Sequence, residues 1–158
     1  MTNTHLGKQV FIATGIPATN DAAGFVALTW VRVNGFVGGF QLGFTASNVD
    51  IPDIAVGITL GAKGMRSGND STASFRNVAS DTGQTNIKGY ADDATSAHSV
   101  KIISAGAGAV AETGDPVQYA QGYYHSFIEN EIAEGGYEGF SVNFKQNAPT
   151  VNATQPAP

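Results

Sequence analysis

Histidines are the side chains in this sequence best suited to metal or acid–base chemistry. His5, His98 and His125 lie far apart, and none belongs to a His-x-x-x-His or Glu-x-x-His pattern. A helical zinc site needs two ligands at such a spacing, because only then do both side chains face the same way. We therefore expect no metal site.

Carboxylates are the second group that could carry chemistry, either as an acid–base pair or as calcium ligands. The clustered ones are Asp50, Asp53, Asp92, Asp93, Glu129, Glu131, Glu134 and Glu138. Calcium loops of the EF-hand type need an Asp-x-Asp-x-Asp-Gly run, which does not occur in this sequence. The spacing favours a charged loop or a negative surface.

Motifs for a nucleophile or a phosphate loop are missing as well. The sequence has no Gly-x-Ser-x-Gly elbow and no cysteine. The run Gly61 to Gly64 (GAKG) has the composition of a phosphate loop but not its spacing. We therefore predict that the protein is not an enzyme and uses no cofactor.

Composition indicates one domain, residues 1–158, with few charges. Charged residues make up 13% of the chain, against about a quarter in average proteins, and this favours a surface covered by repeated subunit contacts. The net charge is −5 and no basic run occurs, which argues against tight binding of nucleic acid. Without a long apolar run or a signal peptide, we expect a soluble chain that is not exported.

The elements that would position any site centre on Tyr119 to Phe144, which holds seven of the fifteen aromatic residues. From Glu138 to Lys145 the residues alternate, which predicts a half-buried strand with one apolar face. That face consists of Phe140, Val142 and Phe144. Val117 to Ile128 predicts a longer strand, joined to the first by a hairpin loop.

Other segments predict further strands and a single helix. Phe25 to Val33 is apolar on both sides, which predicts a strand covered on both faces, with Trp30 in the core. Asp81 to Ala94 predicts the helix, because Asp81 can cap it and Ile87 lies on its apolar face. Short strands are predicted at Lys8–Thr14, Ser71–Arg76 and His98–Ser104, with Phe75 in the core.

These elements predict a mainly β fold, an antiparallel β-sandwich or barrel with one α-helix. The terminal segments are expected to be a flexible N-terminal arm, residues 1–9, and an extended C-terminal arm, residues 147–158. Two interpretations of Phe36, Phe40 and Phe44 stay open. They form ordinary core, or they belong to an aromatic loop that packs on another subunit.

The order of these segments carries a family resemblance over residues 8–147. Its parts are the Phe25–Val33 segment with the Gly-rich turn after it, Asn48–Asp53 (NVDIPD), the strand Ser71–Arg76, the helix from Asp81, and the strands Val117–Ile128 and Tyr137–Lys145. In this order the chain resembles the major tail tube protein of bacteriophages with long, non-contractile tails.

The resemblance implies a subunit that joins five others in a hexameric ring, with a sheet that continues across subunits into one barrel. Rings would stack into a tube through a long hairpin loop, which by position corresponds to Gly35–Ile58. Expected inter-ring contacts are Phe36, Phe40, Phe44, Asp50 and Asp53. Implied partners are further copies of the chain and the tape measure, tail terminator and distal tail proteins.

A barrel of this kind could conduct DNA. Four strands from each of six subunits, spaced about 4.8 Å apart and tilted near 40°, give a backbone diameter of roughly 50 Å, which admits a duplex. Six copies at −5 would carry about −30 and repel DNA, so that it slides without binding. Candidate lumen-facing residues are Asp115, Glu129, Glu131, Glu134 and Glu138.

We therefore predict a structural virion protein of the tail, assembled in the host cytoplasm, that forms the conduit for genome ejection. One alternative is a tube subunit of a contractile tail or a related bacterial injection device. The other belongs to a different class, a β-sandwich carbohydrate-binding module. Its sugar platform would consist of Trp30, Tyr123, Tyr124 and Tyr137.

Overall fold

Ten strands and two helices make up residues 4–157, the part of the chain that the computed structural model describes. The strands are β1 Lys8–Ala13, β2 Val31–Val33, β3 Phe36–Gly38, β4 Phe44–Asp53, β5 Ile58–Gly68, β6 Asp70–Arg76, β7 His98–Ser104, β8 Pro116–Glu129, β9 Gly139–Gln146 and β10 Val151–Thr154. The helices are α1 Ala22–Val26 and α2 Thr82–Asp92.

Eight of the strands form one antiparallel sheet, which curls into a half-barrel. Seven of them follow the order β2-β1-β7-β8-β9-β6-β3, and the eighth, β10, pairs with β8. Strand β8 is its longest member, and two strands share one of its edges. Residues 122–129 pair with β9, and residues 116–119 pair with β10. The predicted fold class, mainly β and antiparallel, is therefore confirmed.

Helix α2 packs on one face of this sheet and buries Ile87 there. The carboxylate of Asp81 accepts a hydrogen bond from the backbone N–H of Gln84 at 2.9 Å, as a helix cap does. A Cβ on Gly83 would lie 2.1 Å from the carbonyl oxygen of Arg32, so only glycine allows the helix to approach β2 this closely. The predicted helix is confirmed.

The main core lies between α2 and the sheet. Phe75, Phe140, Val142 and Phe144 are all buried in it, and the rings of Phe75 and Phe140 stack at 5.3 Å. Each such side chain contributes about 1.5 to 3 kcal/mol through burial. A second cluster contains Val117 and Tyr119, which alternation places on the opposite face of β8.

The strand predicted from Phe25 to Val33 is wrong for its first six residues: Phe25 and Val26 end helix α1, and residues 27–30 form no strand. Asp21 caps this helix by accepting a hydrogen bond from the N–H of Gly24 at 2.7 Å. Phe25 is buried, and its ring stacks on Tyr119 at 5.0 Å. Trp30 is only partly buried and packs on the edge of this second cluster rather than in the main core. Only Val31–Val33 forms a strand.

Both segments predicted as terminal arms contain strand residues. Lys8 and Gln9 begin β1, whereas residues 1–3 and 158 lie outside the described part of the chain. Val151 to Thr154 form β10, where Val151 pairs with Tyr119. The C-terminal segment is thus extended, as expected, but it is also part of the sheet.

Candidate assembly interface

A two-stranded hairpin, β4–β5, leaves the main sheet and pairs with no other strand of residues 4–157. Its two ends meet at the root, where the N–H of Asn69 donates to the carbonyl of Gly43 at 2.9 Å. Ten residues of strand span roughly 30 Å. Because an isolated hairpin is only marginally stable in water, one this long needs a partner.

The hairpin has one apolar face and one polar face. Its register pairs Val49 with Ala62 and Ile51 with Leu60, so these side chains share a face. Both Ile51 and Leu60 are about half exposed, and Ile54 at the tip is 97% exposed. An apolar face that the subunit leaves uncovered indicates a contact surface.

Charges on the hairpin are separated along its length. Asp50 and Asp53 lie in the half next to the tip, and Lys63 and Arg66 lie nearer the root. The carboxylate of Asp53 accepts hydrogen bonds from the next turn, including the N–H of Ala55 at 3.0 Å, which shapes the tip. The tip is therefore both apolar and acidic.

The structure separates the three phenylalanines that were expected to contact another ring. Phe40 is buried in the main core, 6.0 Å from the ring of Phe144, so its assignment as an inter-ring contact is wrong. Phe36 is partly buried against the same cluster. Only Phe44 belongs to the hairpin, at its root.

The hairpin boundaries also differ from the expected Gly35–Ile58. Residues 35–43 belong to the body of the subunit, and the hairpin comprises Phe44 to Gly68. The sequence of β5 does not show the alternation of polar and apolar side chains typical of a strand, because Gly61, Gly64 and Gly68 interrupt it. Asp50 and Asp53, expected at the contact, do lie on the hairpin.

One buried side chain, that of Gln146, holds the root of the hairpin. Its Oε1 accepts the N–H of Gly43 at 2.9 Å, and its Nε2 donates to the carbonyl of Ala148 at 2.8 Å. Its backbone N–H donates to Asn69 at 3.1 Å. Gln146 thus joins both hairpin strands to the segment that leads into β10. Nothing in the sequence marks this residue.

Charged side chains of the subunit find few partners within it. Two histidine–carboxylate contacts occur in residues 4–157: His125 Nε2 with Asp70 at 3.0 Å and His98 Nε2 with Asp93 at 3.8 Å. No Lys or Arg in this range lies within 4.0 Å of a carboxylate. Lys101 is buried against the rings of Phe11 and Trp30, whereas the other Lys and Arg side chains are at least partly exposed and can contact solvent or other subunits.

The candidate lumen residues fall at two ends of β8. Asp115 precedes the strand, and its carboxylate accepts the N–H of Glu112 at 2.8 Å. The other four, Glu129, Glu131, Glu134 and Glu138, are exposed at the far end, in and around the β8–β9 loop. Strand β8 separates the two groups by roughly 40 Å. If both face a lumen, they do so at different heights.

The sugar platform of the carbohydrate-binding alternative is not formed. Tyr124 is 1% exposed and lies in the main core. The indole Nε1 of Trp30 donates to the carbonyl of Phe25 at 3.0 Å, within the second cluster. Tyr123 and Tyr137 stay exposed, but they cannot form the four-ring platform without the other two.

Residues 4–157 also contain no candidate metal-binding cluster and no candidate membrane-spanning helix. No group of three or more His, Cys, Asp or Glu side chains that could hold a metal ion occurs there. None of the helices in this range is both long and apolar enough to cross a membrane.

Comparison with known proteins shows similarity at the level of fold. No protein-family model matches the sequence, and no curated protein is similar to it. Among solved structures, the SPP1 tail tube matches with a TM-score of 0.65 and 11% identity, over 99% of this chain and 81% of that one. This chain therefore has the fold of a tail tube subunit.

Two further similar structures come from a prophage baseplate and a contractile injection system. A chain of the anti-feeding prophage baseplate matches with a TM-score of 0.64 and 7% identity, over 99% of this chain and 97% of that one. A chain of the PVC sheath–tube complex, an extracellular contractile injection system, matches with a TM-score of 0.61 and 8% identity, over 94% and 89%. The fold thus recurs in a tail tube, a prophage baseplate and a contractile injection system.

Proposed function

We propose that this protein is a structural subunit that assembles into stacked hexameric rings and forms a phage tail tube, through which the genome leaves. It acts by assembly and carries out no chemistry. In the virion its neighbours are further copies and the proteins that end and fill the tube. DNA passes through the lumen without specific binding, because a net charge of −5 per subunit repels phosphates.

The observation that carries this proposal is the amphipathic hairpin β4–β5. Its apolar face has no cover within residues 4–157 of the subunit, and two strands alone are marginally stable. A neighbouring copy would supply the missing cover. The fold shared with the SPP1 tail tube supports the same role.

Electron microscopy of the purified chain tests the proposal. We expect hollow tubes with a regular axial repeat, or rings with six-fold symmetry. The matched variant replaces residues 44–68 with a short Gly-Ser linker, which the adjacent ends at Gly43 and Asn69 permit. It leaves Phe40 and the rest of the core in place, so the circular dichroism spectrum should stay β-rich while tubes disappear.

Two results would refute the proposal. One is a wild-type chain that stays monomeric at high concentration under all conditions. The other is a hairpin-deleted chain that still forms tubes of normal length, because the hairpin would then have no role in stacking.

The second candidate function is a tube subunit of a contractile tail or injection device. One of the similar structures, with a TM-score of 0.61, comes from a contractile injection system. Co-assembly distinguishes the two candidates, because a contractile tube must template a sheath around itself. Tubes that bind a sheath protein encoded beside this chain would favour the contractile alternative.

A further inference from the structure

A groove lies on the body of the subunit between its N-terminal segment and β3. It encloses about 430 Å³. Apolar side chains of Leu6, Phe36, Val37 and Ile102 line it, together with His5 and Lys8. No acidic side chain is among its lining residues. The groove is therefore mainly apolar, and the one Lys or Arg that lines it is Lys8, whose Nζ donates to Ser104 Oγ at 2.8 Å.

Open space in the groove is shown by Gly38, which lines it. A Cβ built on this residue would have no atom within 4 Å beyond its chain neighbours. Val37, next to it, is 55% exposed, and β3 pairs only with β6 among the described strands. The groove can thus receive a side chain and the backbone that carries it.

The hairpin tip complements this groove in apolar character and charge. Ile54 protrudes from the tip with 97% of its surface exposed. Residues 49–62 around it contain Asp50 and Asp53 and no Lys or Arg. An apolar, acidic tip is complementary to an apolar groove that carries Lys8.

We propose that the hairpin tip of one copy docks in this groove of a second copy, with Ile54 inserted beside Val37. The inference rests on the proposed function, because it names the receiving surface for a hairpin that links copies. Tip and groove are different surfaces, so the contact is heterologous, and every copy offers both. Repetition of the contact extends an assembly rather than ending it in a symmetric dimer.

Disulfide trapping tests the contact directly, since the chain has no cysteine of its own. The variant carries Val37→Cys and Ile54→Cys, both at exposed positions where a change should not disturb folding. After mild oxidation of assembled protein, we expect a ladder of covalent oligomers on a non-reducing gel. The control pairs Ile54→Cys with Ile132→Cys, which is fully exposed in the β8–β9 loop.

The expected outcome is at least a tenfold higher yield of oligomers for the Val37 and Ile54 pair than for the control. Equal yields, or monomers alone from an assembled sample, would overturn the docking site. That result would leave the proposed function standing if tubes are still seen. A wild-type chain that never assembles would instead refute the proposed function itself.

Filling the groove provides a second test. In Gly38→Leu the new side chain enters the empty space, and we expect tubes to need at least a tenfold higher protein concentration. The control is Gly89→Leu, which adds the same side chain at an exposed position of α2 where a Cβ also meets nothing. Tube formation by Gly38→Leu at the wild-type concentration would contradict the docking site, provided that its β-sheet spectrum is unchanged.

Discussion

His98 shows how a polar residue is accommodated in the core of this subunit. Its ring stacks on Tyr90 at 3.9 Å, and its Nδ1 accepts the N–H of Gly15 at 3.4 Å. The buried Nε2 has no hydrogen-bond partner in the described chain. Burial lowers the pKa of His98 below its usual 6.5, and the Asp93 carboxylate offsets only part of this. The ring therefore stays neutral at pH 7.

We expect this histidine to make stability depend on pH. Since the pKa of His98 is lower in the folded chain than its unfolded value of 6.5, the unfolded state binds more protons between the two values. The free energy of unfolding should therefore be highest above pH 6.5 and fall as the pH drops below it. Urea unfolding at pH 7, 6 and 5 measures this fall.

His98→Phe is the matched variant, because it retains an aromatic ring against Tyr90 but cannot bind a proton. Its free energy of unfolding should change less between pH 7 and pH 5 than that of the wild type. Hydrogen bonds from Thr95 and Ser96 hold the pKa of Asp93 at about 2, so this carboxylate does not titrate in that range. Identical pH profiles for the two chains would contradict the assignment.

Among the elements, helix α2 and the hairpin root show how local hydrogen bonds set the position of whole segments. Asp81 caps α2 and also accepts the side-chain N–H of Asn34 at 2.6 Å, which ties the helix to the β2–β3 turn. Gln146 performs the equivalent task between the hairpin and the C-terminal strand. Each of these contacts links segments that are distant in sequence.

Removal of the α2 cap should destabilise the subunit. Asp81→Ala loses the bond to Gln84 and leaves Asn34 without its acceptor, so we expect a loss of about 2 kcal/mol in the free energy of unfolding. Asp92→Ala, at the other end of the same helix, is the control and should change little. Chemical denaturation decides, and a loss below about 0.5 kcal/mol for Asp81→Ala would rule out the capping role.

Removal of the root contact should loosen two segments at once. In Gln146→Ala the N–H of Gly43 loses its acceptor, and Thr150 loses its hydrogen-bond donor. We expect hydrogen exchange to accelerate both at the start of β4 and in β10. Thr72→Ala, which removes only an exposed cross-strand contact to Asn143 between β6 and β9, is the control. Faster exchange in one of the two segments alone would show that Gln146 does not couple them.

At the scale of the whole molecule, the subunit is folded but has unused surfaces. Its own core is complete, with aromatic clusters on both faces of the sheet. Its hairpin, by contrast, extends apolar side chains into solvent, and its Lys and Arg side chains have no carboxylate partners in residues 4–157. The subunit thus leaves uncovered the surfaces that the proposed assembly would use.

Ring stoichiometry can be measured from mass. Six chains of 16.3 kDa give about 98 kDa, and we expect this species and its multiples in native mass spectra of short assemblies. A dominant species with another number of subunits would contradict the hexamer.

Tube growth should also be faster at 150 mM salt than at 10 mM, because screening reduces the repulsion between copies that each carry −5.

Sequence alone determined the features that depend on local chemistry. The Asp81 cap with Ile87 on the apolar face identified α2, and strict alternation around Phe140 identified β9, because capping and side-chain period are properties of a few neighbouring residues. The order of the elements carried the resemblance to a tail tube subunit, and the structure has that fold. These signals do not depend on where distant segments lie.

Tertiary structure alone decided where the apolar segments pack. Phe40 and Phe44 have the same residue type and similar Gly-rich surroundings, yet one is buried and the other lies at the hairpin root. Phe25, at the end of a short helix, is buried against the ring of Tyr119, which lies far along the chain. Long-range contacts of this kind depend on the arrangement of the sheet, and a local pattern does not record it.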